Sequence, residues 1–151
     1  MDDAARLLAV EDIKQLKARY FRCMDTKDWD GFADQFTTDA VMDVSGEMGD
    51  EAGGEASELG ITRGNQAIAD FVRNAIGDVV TVHHGHMPEI DVTSPTAATG
   101  VWSMEDMLRW PDGAPLGEMH GYGHYHEEYE KQDGRWRISK LRLTRLRVDF
   151  A

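Results

Sequence analysis

Tyr20, Asp25 and His83 are side chains whose types suit proton-transfer chemistry. A buried carboxylate that orients an imidazole, with a phenol nearby, can remove a proton and steady the charge that develops. Tyr20 and Asp25 close the first amphipathic segment, whereas His83 lies in the strand-like run Val79-Val80-Thr81-Val82-His83-His84. The two halves are far apart in the chain, so the fold decides whether they meet.

The elements can be read from periodicity. Ile13, Leu16, Tyr20 and Met24 recur at helical spacing and predict a helix over residues 10–25, with Lys14, Lys17, Arg19 and Arg22 placed elsewhere around it. Asp28 can cap a second helix carrying Trp29, Phe32 and Phe36 on one side. Residues 40–44 read as a short strand. Residues 46–60 hold five Gly and five Glu or Asp, which predicts a surface loop, with a lid over a pocket as the functional alternative. Asn65 can cap a third helix bearing Ile68, Phe71, Val72 and Ile76. The period then changes to two, and strands are expected over 78–92, 97–109, 119–131 and 135–149. Asp133-Gly134 signals a hairpin between the last two, and Pro111-Asp112-Gly113 a turn before the third.

Helices followed by a run of antiparallel strands predict one α+β domain, in which a curved sheet wraps around the helices and leaves a pocket between them. The first helix would lie over the concave face and bring Tyr20 and Asp25 toward a strand histidine. Strand alternation puts His83 on one face and His84 and His86 on the other, and only one set can point inward.

Bulk properties exclude several functions. A chain of 151 residues with a formal charge of −12 lacks the clustered positive charge that nucleic acid or an anionic membrane requires. Its basic residues gather near the end (Arg135, Arg137, Lys140, Arg142, Arg145, Arg147) and alternate with apolar ones, as on a solvated or interface face of a strand. A lone cysteine, Cys23, reads as a small core residue, and one cysteine forms no internal disulfide. The start has no basic region followed by an apolar stretch, and no apolar run approaches the ~18 residues of a membrane span. A cytoplasmic protein is expected.

Four short pieces resemble the SnoaL-like group of the nuclear transport factor 2-like superfamily. They are Asp25-Thr26-Lys27-Asp28-Trp29-Asp30, Arg63-Gly64 ahead of Ala67-Ile68-x-x-Phe71, Thr81-Val82-His83 with Pro88-Glu89-Ile90, and Asp133-Gly134-Arg135-Trp136-Arg137-Ile138. Their order and spacing cover residues 8–149, closest in character to scytalone dehydratase, the bile-acid 7α-dehydratases and the hexachlorocyclohexane dehydrochlorinase. The resemblance implies a cone-shaped α+β barrel with one deep apolar pocket and an Asp–His dyad, Asp25 with His83. It also implies a tyrosine at Tyr20 and an aspartate on the next strand at Asp106. Asp106 shares a strand face with Trp102, Met104 and Leu108, where a desolvated carboxyl could act as an acid.

The strand Gly121-x-Gly123-x-Tyr125-x-Glu127-x-Tyr129 resembles the family's inward face, so Tyr125 is expected to line the pocket, together with Phe71, Trp102 and Met104. Gly121 and Gly123 would make room for a bulky ligand. Six histidines invite a metal reading: His84-x-His86 with Glu89, aided by His120, His124 and His126. The spacing is short for such a set, so no metal and no cofactor are expected.

The expected function is a cofactor-independent dehydratase-type lyase acting on a hydrophobic hydroxy-ketone that is steroid-like, aromatic or polyketide-like. An isomerase or cyclase of the same substrate class would use the same residues. A non-catalytic binding or assembly module is the alternative outside enzymology. Leu141, Leu143, Leu146 and Val148 should split between core and subunit contact, and the family implies a homo-oligomer, dimer or trimer.

Overall fold

The computed structural model describes residues 1–48 and 60–151. Helix α1 runs Asp3–Asp25 and starts before the predicted residue 10, because the Asp2 side chain caps it by accepting from Ala5 N at 2.7 Å. Its inward stripe is Ala9, Ile13, Leu16, Tyr20, Cys23 and Met24. Helix α2, Trp29–Ala33, is capped by Asp28, which accepts from Gly31 N at 3.0 Å. Phe36 does not continue that helix; it opens strand β1, Phe36–Asp43, and reaches the same core from there. Ser45–Met48 forms a 3-10 turn and β2 spans Ile61–Arg63. The remainder of the Gly-rich segment, expected as a loop or lid, lies outside the described residues.

Helix α3 spans Asn65–Ile76. Its cap is Gly64 rather than Asn65, at a φ of 94° that a side chain would strain. Four long strands follow: β3 Val80–Ser94, β4 Ala97–Arg109, β5 Glu118–Gln132 and β6 Arg135–Phe150. Asp133 and Gly134 both have positive φ, 52° and 77°, which is the type I′ geometry that the Asp-Gly pair predicts.

The sheet order is β2-β1-β6-β5-β4-β3. Only the β1–β6 pair is parallel. The sheet curves without closing, as β2 and β3 are its two edges. Its concave face packs on α1, α2 and α3 through one core that includes Phe32, Phe36, Ile68, Trp102, Tyr129, Ile138 and Leu141. No helix among the described residues is long and apolar enough to cross a membrane.

Lys17 departs from the sequence reading. It belongs to the buried stripe of α1, with no exposed surface, and pairs with Glu127 of β5, itself 3% exposed. Burial pulls the Lys17 ammonium down to about 8, while the Glu127 charge and hydrogen bond oppose the fall. Breaking such a pair leaves the partner charged and dry. Lys17→Met should therefore cost about 3–5 kcal/mol in urea unfolding, and adding Glu127→Gln should recover much of it. Equal losses in the single and double variants would contradict a coupled pair.

Candidate active site

Asp25 is the last helical residue of α1. Thr26 caps the helix, and Lys27 turns the chain into the left-handed region at a φ of 63°. An anion at a helix C-terminus is unfavourable, so the Asp25 carboxylate needs other partners. Strand β3 supplies them. Thr81 Oγ1 donates to Asp25 Oδ1 at 2.9 Å, and His83 N donates to Oδ2 at 2.9 Å. His83 Nδ1 lies 2.7 Å from Oδ1. Lys27 reinforces the junction: its Nζ donates to Ile76 O at 2.9 Å and to Thr81 Oγ1 at 3.1 Å.

An ionised carboxylate only accepts, so the proton of a neutral His83 ring sits on Nδ1. Nε2 keeps its lone pair. It stands 3.9 Å from Asp106 Oδ2, and both residues line the same cavity. Inward placement of His83 follows the alternation: Thr81 is buried and the His83 side chain is 7% exposed, while Val82, His84 and His86 face outward. Phe21 of α1 stacks on the imidazole at 6.4 Å between centroids with planes 16° apart. Gly85 permits this approach, since a Cβ there would meet the Phe21 ring at 2.7 Å.

A cavity of about 480 Å³ opens between α3 and the concave sheet face. His83, Tyr20, Tyr125, Asp106 and Arg145 supply its polar groups. Phe71, Val72, Ile76, Leu108, Leu141, Leu143 and Phe150 are among its apolar walls. Tyr20 and Tyr125 stand edge to face at 5.9 Å, and both rings line the cavity. Burial pushes the Tyr125 phenol well above its ordinary range, as do the neighbouring Tyr20 and Asp106, so it stays a protonated donor. Tyr20 and Asp25 fall on different sides of α1, and they reach one site because the helix stops at Asp25 and the carboxylate turns to β3.

Asp106, Trp102, Met104 and the two strand glycines are placed as follows. Asp106 is buried as predicted, but it is no lone acid: Arg145 Nη1 donates to Oδ1 at 2.6 Å and Nη2 to Oδ2 at 2.9 Å. Trp102 and Met104 do not line this cavity; Trp102 is held in the core by donating to Tyr129 Oη at 2.9 Å, and Met104 takes a 3.7 Å contact from Arg145 on its sulfur. Gly121 makes room for protein rather than ligand, as a Cβ there would lie 2.4 Å from both Arg145 Nη1 and Asp106 Oδ1. Gly123 likewise faces the Thr144 carbonyl, 1.9 Å from where its Cβ would be.

Arg145 is the site residue that strand reading missed. Sequence pattern groups it with the outward basic residues of β6, yet it shares parity with the buried Leu141 and Leu143. That parity was the available signal. A register shift beside it, between the Tyr122↔Arg147 and Gly123↔Arg145 pairs, leaves Leu146 76% exposed and returns Val148 to the cavity wall. His84, His120, His124 and His126 stand on the outer face. Among the described residues no three His, Cys, Asp or Glu side chains converge in a metal-holding group.

Residues 5–142 match the SnoaL-like domain, and the chain belongs to that family. Its fold is that of the nuclear transport factor 2-like proteins. A type 2 hexachlorocyclohexane dehydrochlorinase superposes with a TM-score of 0.82 at 20% identity, over 99% of this chain and 93% of that one. A candidate scytalone dehydratase from Novosphingobium aromaticivorans gives 0.83 at 18% identity, over 99% and 92%. A protein of unknown function from Mycobacterium tuberculosis gives 0.75 at 26% identity, over 94% and 74%. At 18–20% identity the first two likenesses establish the fold alone.

Asp25 gives the site a pH signature. Burial opposes its ionisation, but the His83 ring, the His83 N–H, the imidazole charge and Thr81 outweigh burial and hold the carboxyl below its ordinary 3.8. A carboxylate depressed in the folded state contributes stability above its unfolded pKa and loses it as pH falls through the folded value. Urea midpoints of the wild type should therefore drop more steeply below pH 3.8 than those of Asp25→Asn. Parallel acid limbs in the two proteins would show that these hydrogen bonds carry no net stabilisation.

Proposed function

We propose that the protein is a cofactor-independent lyase that removes water from a hydrophobic hydroxy-ketone. The observation that carries this reading is the 2.7 Å contact between His83 Nδ1 and Asp25, which leaves Nε2 unprotonated at the wall of a largely apolar cavity. Asp25 orients the ring and favours the Nδ1-protonated tautomer. The cavity volume of about 480 Å³ suits a small ring system, steroid-like, aromatic or polyketide-like.

In the proposed reaction His83 Nε2 takes the proton α or vinylogous to the carbonyl. The electron pair of that C–H bond moves toward the carbonyl oxygen, which receives hydrogen bonds from Tyr20 and Tyr125. As the enolate collapses, a carbon–carbon double bond forms and the C–O bond to the hydroxyl breaks. The imidazolium returns its proton to the leaving oxygen, which departs as water. Asp106, at 3.9 Å from Nε2, lowers the energy of the transient imidazolium, and Arg145 holds Asp106 in place. The same base and donors would serve an isomerase or cyclase, for which the product mass equals the substrate mass.

A panel of hydroxy-ketones should be incubated with wild type and His83→Ala, with products followed by mass. The elimination reading expects loss of one water with the wild type, and kcat/KM lower by about 10²–10⁴ in the variant. Equal turnover by the two proteins would sink the dyad, and product of unchanged mass would point to isomerisation.

A further inference from the structure

A buried cation stands behind the two tyrosines of the cavity. Lys17 Nζ is 3.6 Å from the centroid of the Tyr20 ring and 3.8 Å from that of Tyr125. Glu127 grips the ammonium from the other side. Tyr129 donates to the second Glu127 oxygen, and Trp102 donates to Tyr129 Oη at 2.9 Å. None of these four residues lines the cavity. The ion pair therefore presents its positive end to the faces of both rings from within the core.

A cation over an aromatic face is attracted to the ring, and the attraction grows when water is excluded. Positive charge near a phenol also favours any build-up of negative charge on its oxygen, more so in a low-dielectric interior. Resting on the reading of Tyr20 and Tyr125 as donors to a substrate oxygen, we infer that Lys17 is a positioning residue for that reaction. Its ammonium clamps the two rings and strengthens their hydroxyls as hydrogen-bond donors to developing oxyanion charge. A purely architectural tie between α1 and β5 would not require the charge to lie on the ring faces, and hydrophobic replacements of buried pairs are often as stable.

The groups around Lys17 are Tyr20 on α1 and Tyr125, Glu127 and Tyr129 on β5, while Asp106 of β4 and Arg145 of β6 act on Tyr125. Tyrosine labelled with 13C at Cζ reads the coupling without any substrate. In the wild type, the Tyr20 and Tyr125 signals should share an inflection near pH 8, where the Lys17 ammonium discharges, and outward-facing Tyr122 should not follow. In Lys17→Met/Glu127→Gln that inflection should vanish. An inflection with any other source would survive in the variant. With an identified substrate, the same variant should lose about tenfold in kcat with KM unchanged.

Tyrosine signals with no common inflection in the wild type overturn the role of Lys17, and this holds even if the double variant does not fold. A retained inflection in the folded variant, or an unchanged kcat, overturns it as well. A wild type that turns over no hydroxy-ketone overturns the elimination reading alone, and the wild-type titration still decides whether Lys17 governs the tyrosines.

Discussion

A carboxylate at the C-terminal end of a helix meets the negative end of the helix dipole, and partial burial makes its ionised form costlier still. Asp25 carries both penalties, and three donors from β3 offset them. The site depends on this exchange. Because the Thr81 hydroxyl and the His83 N–H both bond to the carboxylate, the strand is held in one register against the end of α1. Because the His83 ring bonds to it as well, the imidazole is held in one orientation, which favours a proton on Nδ1. Slipping β3 by one residue would present Val82 or His84 to the helix and send His83 outward.

Around that junction the buried charges are arranged in pairs. Arg145 occupies both oxygens of Asp106, and Lys17 occupies Glu127. Tyr20 and Tyr125 pack edge to face at 5.9 Å. His83 Nε2 differs in kind: it is a basic lone pair at an apolar wall, with the nearest carboxylate oxygen beyond hydrogen-bond reach at 3.9 Å. In the proposed reaction that lone pair is the base, while the charges around it are fixed by protein partners. That division follows from the cost of leaving any buried polar group unpaired.

Much of this was legible in the chain. Period-two alternation located β3 to β6 within a residue or two, and the same alternation separated His83 from His84 and His86. Asp133-Gly134 gave the hairpin because its backbone geometry is local chemistry. Failures came where tertiary partners override local pattern. Lys17 reads as surface because lysine usually is, and only Glu127 on a distant strand makes its burial tolerable. Arg145 is hidden by the basic run around it, and the partner of Asp106 is not legible because that guanidinium comes from another strand. Gly121 reads as space for a ligand until the guanidinium that fills that space is known.

The central claim concerns which nitrogen of His83 carries the proton, and 15N spectra of ring-labelled protein read that directly at a pH where the imidazole is neutral. The geometry predicts a protonated Nδ1 and an unprotonated Nε2, with this preference lost in Asp25→Asn. A proton on Nε2 in the wild type, or a pattern that Asp25→Asn leaves unchanged, would contradict the dyad.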